Sequence, residues 1–407
     1  MADVLPVGWE QKSIGELSTV KRGASPRPIK DSKWWGGDIG WVRISDVTKS
    51  KKYLNNTTQY LSDEGVEKSV QIDKGEVILS ICATIGRPII VNIDACIHDG
   101  FVWFDRLNSS INREYWYYFL SSKEDFFKDQ RQSGTQGNLN TSIVSNVFCL
   151  LPPLPEQKKI ASILSSVDEV IEKTTAQVAK LKDLKTSLMQ SLLTRGIGHS
   201  EFKDSPVGRI PVGWACKLLD SVVNRGSGHT PDKKKPEYWN GGIKWVSLTD
   251  SNKLDQLYIN DTAKKISTLG IENSSAKIHP AGTVVMTRDA GIGKSAIIID
   301  EMAVSQHFMA WVCNDKFDNH YLYYLLQLWK PKFEAIAMGS TIKTIGLPYF
   351  KKLYVPVPRF KEQKEIAKIL LSIDKKITTT NQKLSALTHT KKALMQDLLT
   401  GKKRVVV

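Results

Sequence analysis

Long apolar runs and paired cysteines are both missing from this sequence. No uninterrupted apolar stretch approaches the roughly 18 residues that a membrane span needs. The first residues also lack the basic-then-apolar pattern of a secretory signal. The five scattered cysteines form no CxxC pair, so neither a zinc site nor a disulfide framework is indicated. These absences predict a cytoplasmic chain that does not use a membrane.

The motifs of several enzyme classes are missing too. Gly291-Ile-Gly-Lys-Ser295 resembles the end of a phosphate-binding loop, but Arg288 stands where that motif needs its first glycine. The sequence holds no GxGxxG, no Asn/Asp-Pro-Pro-Tyr/Phe tetrapeptide, no HExxH and no paired acidic clusters for two-metal chemistry. Lone histidines such as His98 and His307 are interpreted as packed or surface residues. The sequence therefore predicts a binding protein without catalysis, cofactor or metal of its own.

What the sequence does contain is a tandem repeat. Glu156-Gln-Lys, Ile160-Ala and Leu188-Met-Gln return 206 residues later as Glu362-Gln-Lys, Ile366-Ala and Leu394-Met-Gln. The intervening parts repeat more weakly: Pro6-Val-Gly-Trp9 returns as Pro211-Val-Gly-Trp214, and Trp35 and Trp41 return as Trp239 and Trp245. The chain is therefore predicted to run globular unit, helix, globular unit, helix.

The two repeated helices carry an apolar seam. Ile160, Leu164, Val167 and Ile171 begin a series at alternating three- and four-residue steps, and Ile366, Leu370, Ile373 and Ile377 begin its copy. This 3.5-residue period is typical of a coiled coil. Lys185 and Lys391 interrupt both seams at the same place. Each helix is predicted to span about 38 residues, or about 57 Å.

The obvious partner of one seam is the other, because both match in length and lie in one chain. Antiparallel pairing with pseudo-twofold symmetry would leave one globular unit at each end. A helical hairpin used only for stability or homodimerisation is the alternative. The spacer interpretation is favoured because helix length is constant while the globular units diverge.

The globular units are predicted to be mixed α+β domains. In the first, Gly75–Cys82 and Arg87–Ile93 read as strands, Arg113–Leu120 as a helix, and Gln132–Asn140 as a loop before a strand ending at Leu151. The repeated tryptophans are interpreted as scaffold core, since they return while the polar residues around them change. Those variable polar residues are the better candidates for recognition.

A net charge of +15, from 57 basic and 42 acidic residues, indicates a polyanionic partner. Basic and hydroxyl- or amide-bearing side chains suit contacts with phosphates and base edges. A merely basic, well-solvated surface is the alternative that charge alone leaves open. The candidate DNA-binding residues are Lys21, Arg22, Ser25, Arg27, Lys30, Arg43, Thr84, Arg87, Thr135, Gln136, Asn138, Arg225, His229, Thr230, Lys233, Lys234, Lys244, Thr287, Arg288, Lys294, Thr341 and Lys343.

These features together resemble the specificity (S) subunits of type I restriction–modification systems. The resemblance rests on Pro152-Pro-Leu-Pro-Glu-Gln-Lys-Lys-Ile-Ala161 with its later copy, on the two Leu-Met-Gln-x-Leu-Leu-Thr helix ends and on the Pro-x-Gly-Trp starts. It covers essentially the whole chain. The second helix start, Pro356-Val-Pro-Arg-Phe-Lys-Glu-Gln363, departs from the first.

The resemblance implies two target-recognition domains, 1–151 and 201–357, and two spacer helices, 152–200 and 358–407. Each domain would read one half of a bipartite site on double-stranded DNA, and the helices would set the gap. Two methyltransferase (M) subunits would bring S-adenosylmethionine, and restriction (R) subunits would bring ATP and Mg chemistry. The competing interpretations are a coiled-coil adaptor that binds proteins through its globular ends, and an enzyme such as a nuclease or a complete methyltransferase.

Overall fold

The computed structural model describes residues 5–130, 139–339 and 343–406. The chain divides into two compact units: Met1–Thr175 with Gln382–Val407 form the first, and Ala176–Asn381 form the second. Each unit therefore includes part of both long helices. The predicted division into four segments stays a prediction. None of the described helices is long and apolar enough to cross a membrane.

The first unit is a mixed α+β fold that includes the start of one long helix and the end of the other. Its strands are β1 (Glu10–Ser13), β2 (Thr19–Arg22), β3 (Trp35–Val42), β4 (Tyr53–Leu54), β5 (Gln59–Leu61), β6 (Val70–Ile72), β7 (Val77–Ser80), β8 (Pro88–Val91), β9 (Ala95–Ile97), β10 (Phe101–Asp105) and β11 (Phe148–Leu151). Its helices are α1 (Ile14–Leu17), α2 (Ile44–Lys49), α3 (Asp63–Glu67), α4 (Arg113–Ser122), α5 (Glu124–Asp129), α6 (Thr141–Ser145) and the start of α7 (Leu154–Arg195). The predicted strands around β7 and β8 and the predicted helix α4 are confirmed.

Two sheets form the scaffold of the first unit. The five-stranded sheet has the order β2-β10-β7-β8-β4 and the four-stranded sheet the order β5-β3-β9-β6, while β1 pairs with β11. Strands β7 and β8 are buried along their whole length, which explains their continuous apolar sequence. Helix α4 packs on this sheet, capped by Asn112, whose side chain accepts a hydrogen bond from the Tyr115 amide.

The second unit repeats this plan. Its strands are β12 (Phe202–Lys203), β13 (Ile210–Pro211), β14 (Ala215–Leu218), β15 (Asn224–Ser227), β16 (Trp239–Val246), β17 (Tyr258–Ile259), β18 (Lys264–Ile266), β19 (Ile278–His279), β20 (Val284–Thr287), β21 (Ser295–Ile298), β22 (Met302–Val304), β23 (Phe308–Val312) and β24 (Tyr354–Val357). Its helices are the end of α7, α8 (Thr268–Glu272), α9 (Asn319–Ile336), α10 (Leu347–Lys351) and the start of α11 (Phe360–Leu399).

The sheets of the second unit have the orders β15-β23-β20-β21-β17 and β18-β16-β22-β19, with β14 paired to β24 and a small β12-β13 pair. Each of the two larger sheets reproduces, position by position, the strand order of its counterpart in the first unit. The chain is thus a duplicated α+β fold. Trp41 and Trp245 are buried, which confirms them as core residues. Their partners Trp35 and Trp239 are half-buried and pack against them at 5.0 and 5.2 Å between ring centroids.

The two long helices, α7 with 42 residues and α11 with 40, pair antiparallel. In the first unit Asp168 contacts Lys391 of α11, and Glu156, nearer the start of α7, contacts Arg404, which lies five residues beyond the end of α11. The numbering therefore rises along α7 as it falls along α11. In the second unit Lys185 contacts Asp374. Ile160, Leu164 and Leu398 are buried in the first core, and Leu193, Ile366 and Leu370 in the second. The predicted seam is confirmed at five of these positions, whereas Leu193 follows the predicted seam residue Leu192, which is only partly buried.

A glutamate near the start of each helix explains two of the repeated motifs. Glu156 Oε2 accepts a hydrogen bond from Trp9 Nε1 at 3.1 Å, and its carboxylate also binds the Arg404 guanidinium through Nε at 2.7 Å and Nη2 at 2.8 Å. In the second unit Glu362 Oε2 accepts from Trp214 Nε1 at 3.0 Å, and its Oε1 lies 2.8 Å from His199 Nε2. Each carboxylate joins a helix start to the beginning of its own globular unit.

The glutamine that follows each glutamate binds the residue that caps helix α4 or helix α9. Gln157 is buried; its amide nitrogen donates to the carbonyls of Ser110 and Pro152, and its oxygen accepts from the Asn112 amide. Gln363 makes the same three contacts in the second unit, with Lys316, Pro358 and Asp318. The repeated Glu-Gln pair is therefore a structural joint.

Candidate nucleic-acid interface

In the first unit, the loop after β2 meets the connection between β9 and β10. Asp99 lies at the centre of this meeting. Its Oδ1 accepts a hydrogen bond from Ser25 Oγ at 2.9 Å, its Oδ2 accepts from Arg27 Nη2 at 3.0 Å, and its main-chain carbonyl accepts from Arg22 Nε at 2.6 Å. Three residues predicted to bind DNA are thus gathered around one aspartate, two of them at its carboxylate and Arg22 at its main-chain carbonyl.

Asp99 is ionised in this setting. Partial burial on its own would raise the pKa of its carboxyl group, but the hydrogen bond from Ser25 and the charges of His98, Arg27 and Arg22 outweigh it. The net result is a lowered pKa. A fixed negative charge therefore holds Arg27 in place, while the main-chain carbonyl of the same residue holds Arg22.

Arg43 and His98 extend the same surface. The His98 ring lies 5.4 Å from the Trp41 ring, and the Arg43 guanidinium lies 5.8 Å from the centroid of the same ring. Arg43 Nη1 also donates to Gln59 Oε1 at 2.8 Å. Burial lowers the pKa of His98, and the neighbouring arginines lower it further against the opposing effect of Asp99. The imidazole is therefore neutral near pH 7, and the positive charge of the surface comes from the arginines.

The second unit builds a different polar network from the corresponding loops. His307 Nδ1 lies 2.7 Å from Asp289 Oδ2, and the Thr344 hydroxyl donates to the other carboxylate oxygen. Gln306 Nε2 lies 3.4 Å from His307 Nε2, and Gln306 Oε1 accepts from the Thr230 hydroxyl. This network joins the loops that follow β15, β20 and β22.

Arg288 and Lys343 border this network. Arg288 Nε lies 3.7 Å from Asp289 Oδ1; it is buried and makes no hydrogen bond within the described part of the chain. The Lys343 carbonyl accepts from the Ala290 amide at 3.4 Å. His229 adjoins the network through its backbone, since its amide donates to Val304 O and its carbonyl accepts from Trp245 Nε1.

A glycine lets the first loop approach the second in both units. A Cβ on Gly23 would overlap the carbonyl oxygens of Ile97 and His98, and one on Gly228 would overlap that of Val304. Gly23 lies two residues before Ser25, and Gly228 two residues before Thr230. The absent side chain at this position is what brings each hydroxyl within reach of the neighbouring connection.

Other candidate residues of the first unit lie apart from the Asp99 cluster. Lys21 pairs with Asp105 at 2.5 Å, and Lys30 is exposed. The Thr84 hydroxyl is buried and has no hydrogen-bond partner among the described residues. Arg87 Nη2 donates to the Ser50 carbonyl at 2.7 Å.

In the second unit, Lys294 Nζ repeats the Arg87 contact by donating to the Ser251 carbonyl at 3.3 Å. Arg225 and Lys244 are paired with Asp220 and Asp300. Three further candidates divide by exposure: Thr287 is buried, while Lys233 and Lys234 are exposed. The predicted residues Thr135, Gln136, Asn138 and Thr341 lie outside the described residues. Contact of all these side chains with DNA stays a prediction.

Several members of the two clusters were not among the candidates from the sequence. These are His98, Asp99, Asp289, Gln306, His307 and Thr344. One signal was available: His98-Asp99 and Gln306-His307 are short polar interruptions between buried strands, at the same point of both repeats. No group of three or more His, Cys, Asp or Glu residues in the described ranges is arranged to hold a metal ion.

Two copies of one α+β fold, each with a polar loop cluster at the same place and each built on two long helices, define a duplicated binding protein. A family model described as "Type I restriction modification DNA specificity domain" matches residues 6–182 and again residues 211–389. These two matches cover well over half of the sequence. The chain belongs to this family.

The chain is also similar to curated proteins along nearly its full length. It is 27% identical to the type I restriction enzyme MjaVIII specificity subunit of Methanocaldococcus jannaschii, with 98% of this chain and 94% of that protein covered. It is 20% identical to the type I restriction enzyme HindI specificity subunit of Haemophilus influenzae, with 97% and 99% covered.

Solved structures share the fold. The type I restriction–modification S subunit from M. genitalium superimposes with a TM-score of 0.57 at 15% identity, over 98% of both chains. A chain from work on complex assembly and conformational transition of the type I R-M system gives a TM-score of 0.64 at 16% identity, covering 98% of this chain and all of that one.

Proposed function

We propose that this chain is the DNA sequence-specificity subunit of a type I restriction–modification complex, and that each unit binds one half of a bipartite duplex target. The observation that carries the proposal is the pair of loop clusters. They occupy the same place in two copies of one fold, yet they present different side chains. A duplicated scaffold with different recognition groups suits a target whose two halves differ in sequence.

The chemistry of the first cluster suits DNA. Arg22, Arg27 and Arg43 are exposed. Arg27 binds the Asp99 carboxylate and Arg22 binds the Asp99 main-chain carbonyl, while Arg43 lies beside the Trp41 ring. Guanidinium groups bind phosphates and also read guanine through two parallel hydrogen bonds. In the second unit the hydroxyl and amide of Thr230 and Gln306 are groups that read base edges, and Lys233 and Lys234 add exposed charge.

Helices α7 and α11 set the distance between the two half-sites. At about 1.5 Å per residue they are about 60 Å long, which is sufficient to hold two reading domains about one helical turn of DNA, 34–36 Å, apart. The same helices dock two methyltransferase subunits. S-adenosylmethionine, ATP and Mg belong to the methyltransferase and restriction subunits, and this chain contributes recognition without catalysis.

The test is the methylation pattern of cells that do or do not express this chain together with its methyltransferase partner. Single-molecule sequencing of their genomes should reveal one motif of two short half-sites separated by a fixed gap. A contiguous motif, or no change in methylation, would contradict the proposal and favour an adaptor. Methylation or cleavage of DNA by the purified chain alone would contradict the non-catalytic role.

The spacing role has its own test. Thr175 and Asn381 lie 206 residues apart, at equivalent positions of the two helices. Inserting one heptad after each keeps the seam in phase and lengthens both helices by about 10 Å, or about three base pairs. The half-sites should stay the same while the gap grows. An unchanged gap in a folded, active variant would defeat the spacing role and leave the recognition role intact.

A further inference from the structure

In both loop clusters, a hydroxyl group at the same position binds the side chain that the cluster presents. Ser25 and Thr230 each precede a proline. Each hydroxyl donates a hydrogen bond to the side chain that lies two residues before strand β10 in the first unit or before its counterpart β23 in the second. That side chain is Asp99 in the first unit, ahead of Phe101, and Gln306 in the second, ahead of Phe308. The same arrangement of loops therefore holds a carboxylate in the first unit and an amide in the second.

The carboxylate of Asp99 orients an arginine. Arg27 contributes one N–H of its Nη2 to Asp99 Oδ2, and 71% of the Arg27 side chain is exposed. A guanidinium has five N–H donors, so this contact leaves four for another partner. Asp99 is a positioning residue: it is held by Ser25, and it fixes one edge of a group that projects into solvent.

The second unit lacks this arginine. The residues that correspond to Arg22 and Arg27, counted from the shared Ser/Thr-Pro pair, are Ser227 and Asp232. The exposed Gln306 occupies the position that Asp99 has in the first unit. Its Oε1 accepts a hydrogen bond from the Thr230 hydroxyl, and its Nε2 lies 3.4 Å from His307 Nε2. The amide is held in one orientation with a donor and an acceptor at defined ends.

We propose that Arg27 reads a guanine in one half of the target and that Gln306 reads an adenine in the other. The inference rests on the function proposed above. Arginine pairs bidentately with guanine O6 and N7, and glutamine pairs bidentately with adenine N6 and N7. Asp99 and Thr230 lower the ordering cost of binding, because they hold the two reading groups in place before DNA arrives.

The experiment uses the complex of this chain with its methyltransferase partner and a duplex library in which every position of both half-sites is varied. For the unaltered complex, methylation should require a G·C pair at one position of the first half-site and an A·T pair at one position of the second. Arg27→Ala and Arg27→Lys should each relax that G·C requirement by about 10- to 100-fold and leave the second half-site unchanged. Gln306→Ala should relax the A·T requirement and leave the first half-site unchanged.

A matched control distinguishes base-specific recognition from general electrostatic attraction to DNA. Lys30→Ala removes one positive charge from the same loop and should weaken methylation of all sequences uniformly. Asp99→Asn should relax the G·C position in the otherwise unaltered chain, and it should add nothing when Arg27 is already alanine.

The inference is overturned if Arg27→Ala lowers methylation of every sequence equally, as Lys30→Ala does, or if the position it relaxes is an A·T pair. Both results would leave a bipartite target and the proposed function standing. Absence of any bipartite requirement in the unaltered complex would instead remove the proposed function. A thermal melt of each variant, matched to the unaltered complex, confirms that a lost requirement reflects recognition.

Discussion

The ammonium of Lys391 lies 2.6 Å from Asp168 Oδ1, at the point where the apolar seam of α11 is interrupted. Lys185 and Asp374 form the same contact in the second unit, also at 2.6 Å. Asp168 also accepts a hydrogen bond from Tyr118, and Asp374 accepts one from Tyr324. The interruption shared by both seams is thus a joint in which two helices and a recognition domain meet.

Replacing Lys391 with methionine should lower the free energy of unfolding by about 1–3 kcal/mol, because the Asp168 carboxylate loses its cation in a partly buried position. Urea denaturation followed by tryptophan fluorescence measures the change. Lys392→Met, at the exposed neighbouring position, is the matched control and should change stability by less than about 0.5 kcal/mol. Equal effects of the two substitutions would show that the pair does not stabilise the joint.

Glu156→Gln should destabilise the protein by about 1–3 kcal/mol at pH 7, because Arg404 and Trp9 lose an ionised acceptor. Burial alone would raise the pKa of Glu156, but hydrogen bonds from Arg404 and Trp9 lower it overall. A carboxyl group whose folded pKa is depressed stabilises the protein above its unfolded pKa, about 4.3, and loses that contribution as the pH falls through the folded value.

The difference in stability between the Glu156→Gln variant and the original chain should therefore shrink on acidification below about pH 4.3. Denaturation curves between pH 7 and pH 3 measure it. Glu169→Gln alters an exposed carboxylate on the same helix and serves as control. A difference that stays constant with pH would mean that ionisation of Glu156 contributes nothing.

Gly228→Ala should disrupt the second loop cluster, because the added Cβ would overlap Val304 O and force the loop after β15 away. Methylation should lose its requirement at the second half-site, and thermal stability should fall by a few degrees. Gly242→Ala is the control in the same unit, since a Cβ there meets nothing within 4 Å. A Gly228→Ala complex with unchanged base requirements would separate this loop from recognition.

Cys96 and Cys149 should resist thiol reagents in the folded protein. Both are fully buried, and burial raises the pKa of Cys96 to about 11 and that of Cys149 to about 12. The reactive thiolate is therefore scarce at neutral pH. Mass spectrometry after brief alkylation at pH 7.5 should find both unmodified, with all five cysteines modified in denaturant. Rapid labelling of either residue in the native state would contradict the described packing.

The features that the sequence predicted are those with a period or a copy. The seam of α7 and α11, the buried strands β7 and β8, and the core tryptophans all follow from apolar spacing and from repetition. The cluster around Asp99 does not, because Ser25 and Asp99 are 74 residues apart and meet only through the sheet. Arg87 and Lys294 were predicted to bind DNA, and nothing in the sequence indicates that each donates to a backbone carbonyl.

The carboxylate of Glu156 binds Trp9 from one part of the chain and Arg404 from another. The first unit is therefore discontinuous, whereas the second, Ala176–Asn381, is a single segment. During synthesis on the ribosome, the second unit is complete before residues 382–404 have been made. The first unit can therefore complete its contacts with residues 382–404 only after the second unit has been made. In most proteins the amino-terminal domain finishes folding first.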